Sequence, residues 1–333
     1  MKVLVTGGAG YIGSVIAARL VAAGHAVTVY DDLSRGHRAA VPPGATLVKA
    51  DIRDADSVAA ALTSGGCEAI VHMAALAEVA ESVAFPARYH DVNVAGTQAV
   101  LQAALRAGVS RLVFSSTAAV YGAPERVPID EDSPLAPANP YGETKLAAER
   151  LLGEAAAASG GRLATVALRY FNAAGADGPR GEDHAPESHL VPLALAAARD
   201  GTTLRIFGDD YPTPDGTCVR DYVHVSDLAA AHVAALERLP QAAGAFNLGT
   251  GSGSSVLEVL RAVAAATARD PAVEHASRRA GDPPVLVASN DRARRALGWR
   301  PRRRLDGIVA DAWAWMSAHP RGYDDRGGEQ GAT

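Results

Sequence analysis

Short apolar runs alternate with longer amphipathic stretches through the first half of the chain. Residues 2–6 are apolar and run into glycines, and 26–30, 45–50, 69–72, 111–115 and 163–168 repeat the pattern. Between them, residues 14–23, 54–64, 89–107 and 141–159 have helical spacing, with Gly24 and Gly108 placed as C-terminal caps. Strands that are apolar on both faces need cover on both sides, and a strand–helix alternation supplies it. The pattern predicts an α/β fold with a doubly wound, Rossmann-type parallel sheet.

After about Asn172 the rhythm breaks. Residues 177–187 and 209–216 read as loops rich in glycine, proline or charge. Helices are predicted over 190–200, 222–239, 256–268 and 305–318, and strands over 204–207 and 245–249. The reading gives a nucleotide-binding domain over 1–172, to which the chain returns around 222–250. A smaller substrate-binding domain takes most of 173–333, with a polar, disordered tail from about 324. The arginine-rich stretch 292–304 reads as a solvated helix face.

The turn after the first strand is Thr6-Gly7-Gly8-Ala9-Gly10-Tyr11-Ile12-Gly13. Gly7, Gly10 and Gly13 permit a tight turn, close backbone approach to a pyrophosphate, and a helix start whose amides face the anion. Asp31 ends the second strand, 18 residues beyond Gly13. A carboxylate there accepts hydrogen bonds from a ribose diol and repels a 2′-phosphate, which favours NAD over NADP. Asp51-Ile52 and Met73-Ala74-Ala75 end the third and fourth strands, where a ligand crevice forms. His72 reads as a core histidine.

Composition narrows the classes. The chain has 333 residues, 48% hydrophobic and 21% charged, enough for one large or two smaller domains. A net charge of −5 gives no reason to expect nucleic acid or an anionic membrane as partner. No apolar run approaches the ~20 residues of a membrane span. Two cysteines, Cys67 and Cys218, make no disulfide framework, so the cytoplasm is the expected compartment, with both thiols as core or pocket-wall residues. The immediate opening strand leaves no signal peptide to expect, and no metal site is expected.

The chemistry centres on Tyr141-Gly142-Glu143-Thr144-Lys145. Positions four apart share a helix face, so Tyr141 and Lys145 point the same way. An ammonium beside a phenol favours phenolate, which predicts a Tyr141 pKa below the usual ~10 and a proton acceptor near neutrality. Ser115-Ser116-Thr117 ends the fifth strand, where a hydroxyl could bond a substrate alcohol.

Together the glycine turn, Asp31, the Ser115–Gly122 strand end and Asn139-Pro140-Tyr141 resemble the extended short-chain dehydrogenase/reductase superfamily. The segments at 168–172, 206–213, 217–225, 246–249 and 278–282 resemble its UDP-glucose 4-epimerase family, and the resemblance runs from Met1 to about Tyr323. It implies a reaction without net redox. Tyr141 takes the proton of a sugar 4-hydroxyl, hydride passes to NAD, and the 4-keto sugar turns over and is reduced on its other face. Lys145 and Thr117 assist, Thr117 standing where many members carry serine. The resemblance places Tyr11, Ile12, Asp32, Leu33, Ser34, Asn93, Ser115, Tyr141, Lys145 and Phe171 beside the cofactor, with Lys145 on the nicotinamide ribose. It assigns Asn172, His189, Leu190, Phe207, Arg220, Arg279 and Asp282 to a UDP-sugar, and Leu286 to gating sugar size. It also implies a homodimer through the helices at 89–107 and 141–159. Ala77 replaces a lysine that some members place near the cofactor phosphates.

Rival readings are a nucleotide-sugar dehydratase or decarboxylase, a 4-epimerase of another UDP-sugar, and a non-catalytic NAD sensor. Elimination needs a proton donor after the threonine, and Ala118 and Ala119 cannot provide one.

Overall fold

A computed structural model describes residues 1–279 and 281–323. Ala280 and the tail expected to be disordered lie outside the described residues. Strands β1 (Lys2–Thr6), β2 (Ala26–Asp31), β3 (Ala45–Lys49), β4 (Ala69–His72), β5 (Arg111–Thr117) and β6 (Ala164–Tyr170) join the strand Gly244–Leu248 in one sheet. Their order is Gly244–Leu248, β6, β5, β4, β1, β2, β3, and every pairing is parallel. Sequence order reverses between β1 and β4, so the carboxyl ends of these strands open a crevice for a ligand.

Alternate side chains of β1 explain the double layer. Val3 and Val5 pack with Val15, Ile16 and Leu20 of the helix Tyr11–Ala22 and with Leu228 and Leu236 of the helix Val225–Arg238. Leu4 faces the other way, toward Val58, Leu62, Val100, Leu101 and Leu152. A separate core joins the helices Leu190–Asp200, Val256–Thr267 and Leu305–Ala318 through Leu195, Val259, Val263, Ile308 and Val309. The chain therefore returns to the main sheet through the helix Val225–Arg238 and the strand Gly244–Leu248.

Several boundaries differ from the sequence reading. Residues 222–239 are not one helix: Tyr222–His224 is a strand paired with Asn172–Ala174. The His224 ring then caps the helix Val225–Arg238 by accepting from the Ser226 amide at 3.0 Å. Three residues leave too little periodicity to separate strand from helix. The helix predicted over 89–107 contains a wide π-turn at His90–Ala95 before Gly96–Ala107. The arginine-rich segment is helical only over Asp291–Leu297, and Gly298 at φ +63° ends it. Beyond it Trp299 is buried and donates to the Asp227 carbonyl at 2.7 Å. Ala272–Ala276, paired with Thr203–Phe207, is a strand that its exposed, mixed composition hid. Val219–Arg220 pairs with both Ser254–Ser255 and Val285–Leu286. Both cysteines are free. No helix among the described residues is long and apolar enough to cross a membrane.

Candidate active site

The glycine turn works by close approach. Gly7 has φ +66°, and a Cβ there would lie 2.6 Å from the Ala74 amide nitrogen. A Cβ on Gly13 would lie 2.0 Å from the Gly7 carbonyl oxygen. Only glycine lets β1, the helix start and the end of β4 converge this tightly. The helix Tyr11–Ala22 has no side-chain cap, so its first amides remain available to an anion. Tyr11 crosses the turn and donates to the Gly175 carbonyl at 2.6 Å.

Asp31 lies at the end of β2 and lines the same crevice. Its carboxylate accepts from the Ala9 amide and the Leu33 amide, each at 2.9 Å. Burial raises its pKa, and those two hydrogen bonds oppose the rise. Each oxygen keeps a lone pair for a diol.

The Pro140–Ala158 helix carries Tyr141 and Lys145. Asn139 caps it by accepting from the Gly142 amide at 2.9 Å, and Pro140 supplies the preset first turn. Lys145 is buried and donates to the Ser115 carbonyl at 2.8 Å, with its Nζ 4.8 Å from the centre of the Phe114 ring. Burial lowers its pKa to about 7, against the pull of Glu149. Tyr141 corrects the sequence reading: burial pushes its pKa up to about 12, the Thr117 hydroxyl lowers it, and Glu78 raises it. Burial thus holds the phenol protonated at neutral pH in the protein alone. Thr117 begins the turn after β5, its Oγ1 accepting from the Ala119 amide at 3.1 Å.

Beneath this pair runs a buried network. Glu149, one turn beyond Lys145, takes two hydrogen bonds from Arg169 at 3.0 and 2.7 Å. Arg169 also donates to Tyr121 at 2.8 Å, and Tyr121 to Asn247 at 2.7 Å. Ser116 donates to the same Glu149 carboxylate. The helix is thus fastened to β5, β6 and the strand Gly244–Leu248.

The far end of the cleft is built from the later segments. Arg279 lies with its guanidinium 4.0 Å from the centre of the Phe207 ring. Arg220 reaches Asp282 at 3.2 Å and the Pro283 carbonyl at 2.9 Å. Leu286 faces the same space, as do Asn172 and Leu190. His189 sits at the rim between Glu182 and Glu187; burial opposes its protonation, but Glu182 and then Glu187 raise its pKa to about 11.

One cleft of about 1150 Å³ is lined by nearly every residue singled out in the sequence. That exceeds the ~300–1,000 Å³ usual for a single small-molecule site, and leaves room for a dinucleotide and a second nucleotide. Its lining joins the Gly7 turn, Met73, Ala74 and Ala75 to Ser115, Thr117, Tyr141, Lys145 and Phe171, and to Phe207, Arg220, Arg279 and Asp282. Two residues fall outside it. Leu33 only lends its amide to Asp31. Asn93 is buried and braces the loop above, bonding the Leu76 amide and carbonyl and Thr144. His72 is buried between Thr6 and Thr97, as a core histidine.

The family model for the NAD dependent epimerase/dehydratase family matches residues 3–249. The chain belongs to this family. A UDP-glucose 4-epimerase of Streptomyces lividans is 51% identical over 98% of this chain and 99% of its own. The UDP-glucose 4-epimerase of Brucella ovis, solved in complex with NAD, superposes with a TM-score of 0.90 at 47% identity, covering 94% of this chain and 97% of that one. The UDP-glucose-4-epimerase of Stenotrophomonas maltophila, solved with bound NAD and formylated UDP-arabinopyranose, gives a TM-score of 0.92 at 41% identity, covering 96% and 99%. The glycine cradle and Asp31 fit the NAD on which this epimerase/dehydratase family depends.

Sequence reading missed several cleft residues of this family member. Tyr170 lines the centre and bonds His232. Arg35, Glu78, Glu182, His184 and Ser188 line the rim. Apart from Tyr170, which ends β6, they come from the less regular segments between the main strands and helices, and only folding sets them beside the glycine turn.

Proposed function

We propose that the protein interconverts UDP-glucose and UDP-galactose by inverting the sugar at C4. The observation that supports the reading is that Tyr141, Thr117 and Lys145 line the same cleft as the glycine turn and as Arg220, Arg279 and Asp282. Asn172, Phe207, Arg220, Arg279 and Asp282 hold the UDP part: two guanidiniums suit a pyrophosphate, and a carboxylate suits a ribose diol. Bound NAD supplies the hydride acceptor and returns the hydride. Tyr141 removes the 4-hydroxyl proton and later restores it, and Thr117 orients that hydroxyl. Lys145 brings positive charge to the strand end and, with the cofactor's own charge, stabilises the phenolate. Ala118 and Ala119, which follow Thr117, cannot deliver the proton that elimination needs, and this disfavours the dehydratase reading.

The division of labour follows the cores. Residues 1–172 and 222–250 hold the cofactor, and most of the remainder holds the nucleotide sugar. Pairing of two copies through the long helices over 89–107 and 141–159 fits an exposed Leu105, and light scattering of the purified protein checks it. Two free thiols fit a reducing cytoplasm. A panel of UDP-sugars followed by proton NMR for C4 inversion tests the function. Conversion of UDP-galactose to UDP-glucose is the expected outcome, and no product from any hexose would overturn it. The same panel reads Leu286, whose size lies between a gate that admits N-acetyl sugars and one that rejects them. A related structure holding a UDP-pentose derivative makes pentoses a necessary part of the panel.

A further inference from the structure

The loop before the helix Leu190–Asp200 gathers four metal-ligating side chains at the cleft rim: Glu182, His184, Glu187 and His189. One donor atom from each lies within 4.8 Å of all the others. Glu182 Oε1 is 2.7 Å from His189 Nδ1 and 3.2 Å from His184 Nδ1. Glu187 Oε1 is 3.1 Å from His189 Nδ1, and its other oxygen is 4.0 Å from His184 Nδ1. Both imidazoles thus turn the same ring nitrogen inward, onto two carboxylates.

Three features separate this group from a chance cluster of surface charge. First, the Glu182 side chain is only 8% exposed, at the centre of the group. Second, the His184 Nδ1 is shut off from solvent and faces Glu182 without the alignment of a hydrogen bond. A nitrogen and a carboxylate oxygen so placed leave a position between them that a shared cation can fill. Third, the surroundings preset the ligands. The amides of Ser188 and His189 donate to Glu187 at 2.7 and 2.8 Å. The loop is tied to the cofactor side by Arg35 on the Ala185 carbonyl and by Ser188 on Glu78.

We propose that Glu182, His184, Glu187 and His189 form a four-ligand site for a zinc-class divalent cation. Two carboxylates and two neutral imidazoles around a dication sum to no net charge, as they do when each imidazole carries a proton instead. One ion therefore replaces two protons without changing the charge buried at the rim. Nitrogen and carboxylate donors, four in number and able to close tetrahedrally, suit Zn²⁺ or Co²⁺ better than Mg²⁺, which prefers six oxygens. The ion has no part in the chemistry at C4. It locks the loop that closes the rim between the glycine turn and the substrate end, and the proposal stands whether or not the epimerase reading does.

The test uses tag-free, NAD-loaded protein stripped with a chelator. Zn²⁺ is titrated calorimetrically, and Co²⁺ is followed by the visible absorption of a tetrahedral ion. The expected result is one ion per chain, with affinity at least ~10-fold weaker in Glu182→Gln and His189→Gln, since each removes one of four ligands. His184→Gln removes the half-buried ring that faces Glu182 and decides the matter if Glu182→Gln fails to fold, with retained NAD and circular dichroism reporting folding. Absence of stoichiometric Zn²⁺ in the unsubstituted protein, or equal affinity in folded variants, overturns the proposal.

Discussion

Lys145 donates its buried ammonium to the Ser115 carbonyl at 2.8 Å, tying the helix that carries Tyr141 to the strand that ends in Thr117. The bond sets the spacing of the reactive groups. Tyr141 itself keeps a high pKa in the protein alone, pushed up to about 12 by its burial. The lysine organises the strand end, and under the proposed mechanism the phenol ionises only beside the positive nicotinamide ring.

Tyr141→Phe removes the hydroxyl proposed as the proton acceptor and leaves the glycine turn and Asp31 in place for the cofactor. Turnover should fall by about 10²–10⁴-fold or more, the usual worth of a positioned acid–base. NAD released on denaturation should remain near one per chain. Near-normal rates would remove the assignment of Tyr141.

Asp31→Ala deletes the carboxylate at the end of β2. The preference for NAD over NADP should shrink on the order of tenfold, the weight of one charge-assisted hydrogen bond plus relief of repulsion from a 2′-phosphate. Competitive binding of the two cofactors to the stripped protein measures it. Unchanged discrimination would leave Asp31 as a brace for Ala9 and Leu33 only.

Glu149→Ala strands Arg169, whose side chain is 5% exposed. Removing one partner of a buried ion pair costs about 3–5 kcal/mol, which urea denaturation should report as an earlier midpoint. Replacing Arg169 by Met in the same chain should restore part of the loss, since no buried charge then lacks a partner. An exposed, dispensable pair would show neither effect.

His72 and His232 are held neutral by burial, with pKa values lowered to about 3 and about 4. An unfolded histidine takes up its proton near pH ~6.5, whereas these do so only well below that. Stability is therefore complete above ~6.5 and lost as pH falls toward the folded values, by up to about 1.4 kcal/mol per pH unit for each. Unfolding free energies at several pH values between about 7 and 4 should show this slope, and His232→Gln should make it shallower. A flat profile would show that these rings titrate alike in both states.

The local pattern of the chain determined the alternating strands and helices, the glycine turn, Asp31 at the end of β2 and the Tyr141–Lys145 face. Each depends on neighbours within about one helical turn or one strand, where period and side-chain type carry the information. Tertiary structure decided what those residues meet. It set the Lys145 ammonium on the Ser115 carbonyl, raised the Tyr141 pKa by burial, and gave Asn93 the Leu76 backbone as a partner. It also assembled the Glu149–Arg169–Tyr121–Asn247 network and the Glu182–His189 rim. Burial and long-range pairing fix charge states and partners, and neither is a property of any short stretch of sequence.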